Sequence, residues 1–364
     1  MSNIPSEKSM IVVAMSGGVD SSTVAAMLCE QGHKVIGITL QLYDHGVAIN
    51  KKGACCAGQD IYDAKMVADK LNIPHYILDY ESSFKKSVID DFADSYIRGE
   101  TPLPCVRCNQ SVKFKDLLKM AKELGADGLA TGHYVRKIEG KYGSELHTGI
   151  DPLKDQSYFL FATTMEQLDY LHFPIGGLSK QETRIIASKF GLDVADKPDS
   201  QDICFVPDGN YRTIVSKLHP SANQKGKILH IDGFELGEHN GIINYTIGQR
   251  KGLGISFSEP LYVIKIDAIN NIVYVGPESK LNSTEFIIKE VNWLDSRILP
   301  ENLEVAVKIR STRPGAPAKI YRLDDNRVLV KLLSNEKAVT PGQACVIYND
   351  TRVLGGGWIS RENS

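Results

Sequence analysis

The chain of 364 residues has no run of about 18 apolar residues, the length a helix needs to cross a bilayer, so no membrane partner is expected. Its opening, MSNIPSEKSM, lacks the basic start and apolar core of a secretory peptide, which makes the cytoplasm the expected compartment. An excess of one charge is missing too: 42 Lys and Arg stand against 44 Asp and Glu, a formal net charge of -2. That excludes nucleic-acid binding by bulk charge and requires local basic patches for any such partner. Seven cysteines, an odd number in a long chain, do not make a disulfide framework and are expected to be mostly free thiols in a reducing compartment. Cys29 and Cys345 fall in apolar patterns and are expected in the core. Internal repeats and low-complexity segments are absent. What remains, 42% hydrophobic and 24% charged side chains, is the composition of an ordinary globular protein of two or three domains.

The first 130 residues alternate between two periods. MIVVAM, residues 10–15, is a continuous apolar run ending in a glycine turn, and SSTVAAMLCE, residues 21–30, has helical spacing. KVIGITLQL (34–42) predicts a second strand, 59–71 a helix, 75–79 a third strand, 84–97 and 112–124 further helices, and 128–131 a short strand running into Gly132 and His133. This alternation predicts a doubly wound α/β domain with a parallel sheet, with ligands beyond the carboxyl ends of its strands. SKQETRIIASKF (179–190) predicts an amphipathic helix with a capping box of Ser179 and Glu182. Residues 195–209, rich in Pro, Asp and Gly, predict a loop. Beyond about Gly226, short β-type runs follow one another, among them KILHI, IINYTIG, LYVIKIDA, AKIYRL and RVLGGGWI, and predict one or two small barrel-like domains with a boundary between 276 and 284.

AMSGGVDSST (14–23) places Ser-Gly-Gly between a strand and a helix, the arrangement in which backbone N–H groups converge on an anion. It is not the common P-loop, because no lysine follows the glycines. Hydroxyls of Ser16, Ser21 and Ser22 can donate to phosphate, and Asp20 can hold Mg2+ or orient the turn. Such a loop suits the grip on departing pyrophosphate, hence adenylation; the bland alternative is a glycine turn capped by Asp20 and Ser21. SGGVDSS resembles the pyrophosphate-loop motif of the adenine nucleotide α-hydrolase superfamily, which implies ATP-dependent adenylation of an oxygen and leaves the acceptor open.

TPLPCVRCNQSVKF (101–114) holds Cys105 and Cys108 as a CxxC, and DSQDICFVPDG (199–209) holds Cys204 in a polar loop. Cys108 precedes the predicted helix, whose positive end would favour its thiolate. Two thiols far apart in sequence can move sulfur, one bearing a persulfide and the other resolving it. The alternatives are incidental loop cysteines, a zinc site completed by His133, and an iron–sulfur cluster on Cys105, Cys108 and Cys204 with one iron open. The adjacent Cys55 and Cys56 cannot easily chelate one metal and are expected to be structural.

Across nearly the whole chain the sequence resembles the tRNA-specific 2-thiouridylase family. The shared landmarks, in order, are AMSGGVDSS, PCVRCNQSVKF, ATGHYVR (130–136), KDQSYFL (154–160), DSQDICF and YTIGQRKGLGI (245–255). The resemblance implies an adenine nucleotide α-hydrolase-like α/β domain over 1–210, a small central domain over 211–280 and a C-terminal β-barrel over 281–364. It implies ATP-dependent 2-thiolation of the wobble uridine in tRNAs for Lys, Glu and Gln, with ATP and Mg2+ and with a sulfur-carrier or persulfide-donor protein. It further implies Cys108 as nucleophile and Cys204 as the persulfide-bearing cysteine, with a disulfide between them closing the turnover. The nucleotide would be held by Ala14, Met15, Ser16, Gly17, Gly18, Val19, Asp20, Ser21, Leu40 and Gly132. Transfer RNA would meet His133, Lys154, Asp155, Gln156, Arg310, Ser311 and Gln343.

The sequence departs from that pattern in three places. Cys105 stands where many members have an aspartate, so no carboxylate acts there; Leu40 replaces a common methionine; and RSTRPG (310–315) lacks an aromatic after its first arginine. Phosphate contacts are expected among Lys113, Lys115, Arg136, Lys137, Lys154, Arg250, Lys251, Arg310 and Arg313. A non-catalytic tRNA- or nucleotide-binding protein is the alternative from another class; it would be expected to have lost the loop serines or one distant cysteine, and all are present.

Overall fold

The first strand, Met10–Ala14 (β1), is buried on both faces, as its unbroken apolar run requires of a central parallel strand. A computed structural model of the chain describes residues 8–43, 56–199, 203–206, 209–295, 302–323 and 326–361. β1 is followed by the helix Val19–Glu30, the strand Lys34–Gln41 (β2), the helix Cys56–Lys70 and the strand His75–Asp79 (β3). The chain then returns past β1 to add Gly128–Ala130 (β4) on its other side. The parallel sheet has the order β3-β2-β1-β4-β7, where β7 is the two-residue strand Leu171–His172. Strand order reverses between β1 and β4, and the crevice beyond that switch point is where a doubly wound sheet receives its ligand.

Two helical stretches differ from the predicted ones. The helix expected over 84–97 begins at Glu81 and carries a π segment, Lys85–Ile89, before Asp90–Ile97. The helix expected from 112 starts eight residues earlier, at Pro104, whose fixed φ and missing N–H suit a first helical position. It runs through Pro104–Cys108 and a π segment, Asn109–Leu117, into Leu118–Glu123. The capping box at Lys180–Lys189 forms as its sequence predicts: Ser179 Oγ accepts from the Glu182 N–H at 3.2 Å, and Glu182 Oε2 accepts from the Ser179 N–H at 2.7 Å. Cys55 lies outside the described residues.

The hairpin of Val135–Gly140 (β5) and Gly143–Thr148 (β6) was not legible, because its residues alternate weakly. It joins the C-terminal sheet through the strand Arg352–Ile359. The central sheet has the order β10-β11-β8-β9, built from Gly226–His230 (β8), Glu235–His239 (β9), Tyr262–Asp267 (β10) and Ile272–Gly276 (β11). IINYTIG, expected as a strand, instead forms the 3-10 turn Ile242–Asn244 between Gly241 and Gly248, both at positive φ, while the polar ELGEH supplies the edge strand.

Six strands make the last unit: Asn282–Trp293 (β12), Leu303–Lys308 (β13), Ala316–Arg322 (β14), Val328–Lys337 (β15), Ala344–Asn349 (β16) and Arg352–Ile359 (β17). The order β12-β15-β14-β13-β16-β17 closes on itself, since the first half of β12 pairs with β15 and the second half with β17. Closure leaves none of these six strands as a free edge. Cys345 is fully buried in this barrel, and Cys29 packs half-buried against the α/β core, in line with expectation.

Candidate functional site

The turn after β1 is held from three sides. The Met15 N–H donates to Ile38 O at 2.8 Å, and Thr39 Oγ1 donates to Met15 O at 2.8 Å, so β2 anchors its start. Gly17 has φ +74°, and a Cβ there would stand 2.0 Å from the Asp60 carbonyl oxygen; only glycine fits. Gly132, after β4, approaches the start of the helix Val19–Glu30 so closely that a Cβ would lie 2.8 Å from the Ser21 nitrogen. Ser21 Oγ accepts from the Ser16 N–H at 3.1 Å and lies 3.2 Å from Ser16 Oγ, while Ser22 Oγ donates to Gly18 O at 2.8 Å. The close approach of Gly132, the paired hydroxyls and the glycine-bounded helix start fit a polyphosphate. Ala14 and Val19 complete the strand-to-helix passage, and half-buried Leu40 lies near the carboxyl end of β2.

The lysine missing from the loop sequence comes from elsewhere. Lys180 Nζ lies 2.8 and 2.9 Å from the Asp20 carboxylate oxygens and 2.7 Å from Asp199 Oδ1, and the Tyr134 hydroxyl donates to Asp20 at 2.7 Å. Lys197 Nζ donates to Gly17 O at 3.0 Å and to Asp60 at 2.7 Å. Asp199 also receives Lys154 at 2.6 Å and Arg184 at 3.1 Å. Burial alone would raise the Asp199 pKa, but the hydrogen bonds from Lys154 and Lys180 outweigh it and hold the carboxyl at about 2. Asp20 is thus an orienting group in this network. Among the described residues no three His, Cys, Asp or Glu side chains converge as a metal set. A cluster on Cys105, Cys108 and Cys204 is thus unsupported; Mg2+, which keeps several waters, would be held chiefly by the phosphates.

Cys108 is buried at the end of the first helical turn after Pro104, inside a continuous helical path and not at its positive end, so the expected thiolate stabilisation by a helix start is absent. Its pKa is raised by burial, against an opposing pull from Lys113. Phe205 and Val206 pack in the same apolar cluster as Cys108, with Phe84 and Phe92, and this seats the Cys204 loop against the CxxC helix. Cys105 and Cys204 are exposed, yet the protein around each sulfur still desolvates a thiolate. Burial pushes the Cys204 thiol up to about 12, with nearby Cys108 adding to the rise. Cys105 is raised by burial too.

Lys113 was expected to reach RNA phosphate; the structure turns it toward the thiols. Five residues make about 140° of net rotation in an α-helix, which would carry Lys113 away from Cys108, but a π segment bonds i to i+5 and brings the two onto one side. Burial would lower the Lys113 pKa, and the charges of Cys108, Cys105 and Cys204 more than reverse this. His133 sits edge-on to Phe114 at 5.8 Å with Nδ1 2.9 Å from Thr131 Oγ1; burial first, and Lys113 second, lower its pKa to about 3, so it is neutral.

The residues expected at tRNA are mostly engaged within the protein. Asp155 accepts from Gly149 N and Ser157 N, both at 3.1 Å, and Gln156 Oε1 accepts from the Tyr134 N–H at 2.9 Å. Arg310 donates to Ala338 O at 3.1 Å, Gln343 to Thr101 O at 2.9 Å, and Ser311 is exposed. Lys137 is buried with its ammonium on Asp169 O, and Arg136 donates to Thr148 O. The C-terminal barrel touches the thiol segment directly: besides the Gln343 bond, the Arg107 guanidinium lies 4.4 Å over Trp358. The thiol-facing role of Lys113, inside PCVRCNQSVKF but expected at RNA, and the loop-holding roles of Lys180 and Lys197 were not readable; the capping box was the signal beside Lys180.

Three family descriptions match successive parts of the chain: tRNA methyl transferase HUP domain over residues 9–208, tRNA methyl transferase PRC-barrel domain over 215–277, and aminomethyltransferase beta-barrel domain over 283–359. The chain is 72% identical over 363 residues to tRNA-specific 2-thiouridylase MnmA of Rickettsia rickettsii (strain Sheila Smith), covering 100% of both chains. It is 72% identical to the protein of that name from Rickettsia bellii (strain OSU 85-389), covering 100% of this chain and 99% of the relative. Among solved structures, NMN synthetase from Francisella tularensis aligns with a TM-score of 0.32 and 17% identity over 58% of this chain and 77% of that one, too slight a likeness to argue from. With its full-length match at this identity, its parallel sheet switching at a pyrophosphate-type loop and its closed C-terminal barrel, the chain belongs to the tRNA-specific 2-thiouridylase family.

Proposed function

We propose that this chain is an ATP-dependent tRNA-uridine 2-sulfurtransferase acting on the wobble uridine of tRNAs for Lys, Glu and Gln. The observation that carries the reading is the seating of the Cys204 loop on the Cys108 helix, within reach of one lysine. ATP and tRNA are the substrates. The C2 oxygen of uridine displaces pyrophosphate at the α-phosphorus, and Ser16, Ser21 and the N–H groups from Gly17 to Ser21 hold the departing anion. Mg2+ supplies charge neutralisation on the phosphates. Lys180 and Lys197 fix the loop from outside, through Asp20 and through Gly17 O.

A sulfur-carrier or persulfide-donor protein loads Cys204. The terminal sulfur of that persulfide attacks C2, and AMP leaves with the former C2 oxygen. Cys108 then attacks Cys204 Sγ, which frees the 2-thiouridine and leaves a Cys108–Cys204 disulfide, so the two electrons needed come from the thiols. An external thiol resets the pair. Leu40 lines the adenine, and His133, Lys154, Asp155, Gln156, Arg310, Ser311 and Gln343 form the rim on which the anticodon arm rests, several of them by exchanging a protein partner for RNA. The domain limits 1–210, 211–280 and 281–364 belong to the same reading, as does a cytoplasmic site of action.

The Cys204→Ser variant is expected to keep tRNA-dependent pyrophosphate release and to lose thiolation, read by mass spectrometry of the wobble uridine. Thiolation that persists in this variant with a protein persulfide donor would overturn the assignment.

A further inference from the structure

The central sheet carries a group of rings that the thiol chemistry does not use. The His230 ring stacks on Phe234 at 4.5 Å and 17° and on Phe257 at 5.6 Å and 27°, while the two phenylalanines are 6.0 Å apart and 26° from parallel. Each phenylalanine is nearer to the histidine than to the other. His230 is 5% exposed, Phe234 44% and Phe257 39%. The histidine is thus the buried member of the group, and the two phenylalanines packed on it are partly exposed.

Two exposed phenyl faces on a buried base plate are costly to leave in water, and a flat π surface is what an unstacked nucleobase seeks. The buried ring adds a polar signal. Nδ1 of His230 lies 3.3 Å from the Asp232 N and 3.2 Å from Asp232 Oδ2, and the buried Nε2 has no partner among the described residues. A buried ring nitrogen without a partner marks a place where a polar group of a ligand is missing. The Asp232 carboxylate, 3.2 Å from Nδ1 and largely exposed, makes the near rim acidic, so phosphate must be met elsewhere.

Charge for that purpose stands at the same end of the sheet. Gly248 and Gln249 bond Val263 of β10, Val263 faces Val275 of β11, and the Ile231 N–H donates to Val275 O. Arg250 and Lys251 are thus about three strand spacings, ~14 Å, from the rings. Both are exposed, and neither side chain has an ion-pair partner among the described residues. A segment that starts at these cations ends at Phe257.

We infer that His230, Phe234 and Phe257 form a stacking platform for an unpaired nucleobase of the tRNA substrate, with Arg250 and Lys251 holding the neighbouring phosphates. This rests on the reading that tRNA is the acceptor. Partly exposed rings with two cations about 14 Å away, unpaired among the described residues, favour RNA over a protein partner, which would bury ring edges in a pocket.

The test uses the full chain and an unmodified transcript of a tRNA carrying the target uridine. Emission from a Phe234→Trp variant, taken as the difference from wild type with its Trp293 and Trp358, is expected to be quenched by the transcript. A Phe234→Ala/Phe257→Ala variant is expected to raise the KM for tRNA about tenfold at unchanged kcat, and the Tyr/Tyr pair to restore it. No quenching together with an unchanged KM overturns the platform while wild type still binds tRNA. A wild type that does not bind the transcript overturns the acceptor reading and the platform with it. Loss of sulfur uptake from a donor protein at unchanged tRNA affinity assigns this face to a protein and also overturns the inference.

Discussion

His133 shows how a residue's neighbours decide its chemistry. His133, in ATGHY after a strand, is expected at tRNA, and burial with the Lys113 ammonium puts its pKa at about 3, so it offers a neutral ring. The sign for stability follows: the folded pKa lies below the ordinary 6.5, so the full contribution is present above about pH 6.5 and is lost as pH falls toward 3. A His133→Asn variant is expected to flatten the fall in stability between about pH 6.5 and 4, measured by urea unfolding at several pH values. An equally steep decline in the variant would show that His133 titrates normally. Cys105 is the other residue of interest: desolvation raises its pKa against the pull of Lys113 and keeps it a neutral thiol.

The helix that carries the CxxC acts as one element. Its π segment turns Lys113 back toward Cys108, and this register sets the local charge. Without the ammonium, the thiol loses the one interaction that pulls its pKa down, so thiolate becomes scarcer at a given pH. Lys113→Met is expected to slow iodoacetamide alkylation of Cys108 by about tenfold near pH 8.5, with Lys113→Arg close to wild type, read by peptide mass spectrometry; equal rates in all three chains would remove Lys113 from the thiol site. The PCVRC…KF stretch could be read as thiols before a helix, but not as a π helix, because no local periodicity distinguishes i+4 from i+5 bonding.

For the whole molecule, the C-terminal barrel is the support of the thiol segment. Trp358, 6% exposed, packs on Phe161 at 5.7 Å and lies under Arg107, which belongs to the CxxC helix. Trp358→Ala is expected to cost about 3–5 kcal/mol in denaturant unfolding and to reduce thiolation more than pyrophosphate release, since it loosens the thiols and leaves the phosphate loop intact. Equal losses in both activities would mean that the barrel supports the α/β domain as a whole. The barrel's strands were legible from alternation, whereas its closure and its hairpin extension through β5 and β6 depend on which strands meet.

The sequence alone determined the βα alternation, the Ser-Gly-Gly phosphate turn and the Ser179–Glu182 cap, because each rests on a local period, a backbone freedom or a hydrogen bond spanning three residues. Tertiary structure decided the rest. The Cys204 loop packs into the apolar cluster of Cys108 across 96 positions, Lys180 and Lys197 reach back to the loop at Asp20 and Gly17, and Lys113 is drawn toward the thiols. Those pairings depend on how helices, loop and barrel pack against one another, and packing across elements leaves no fixed spacing in the chain to be read.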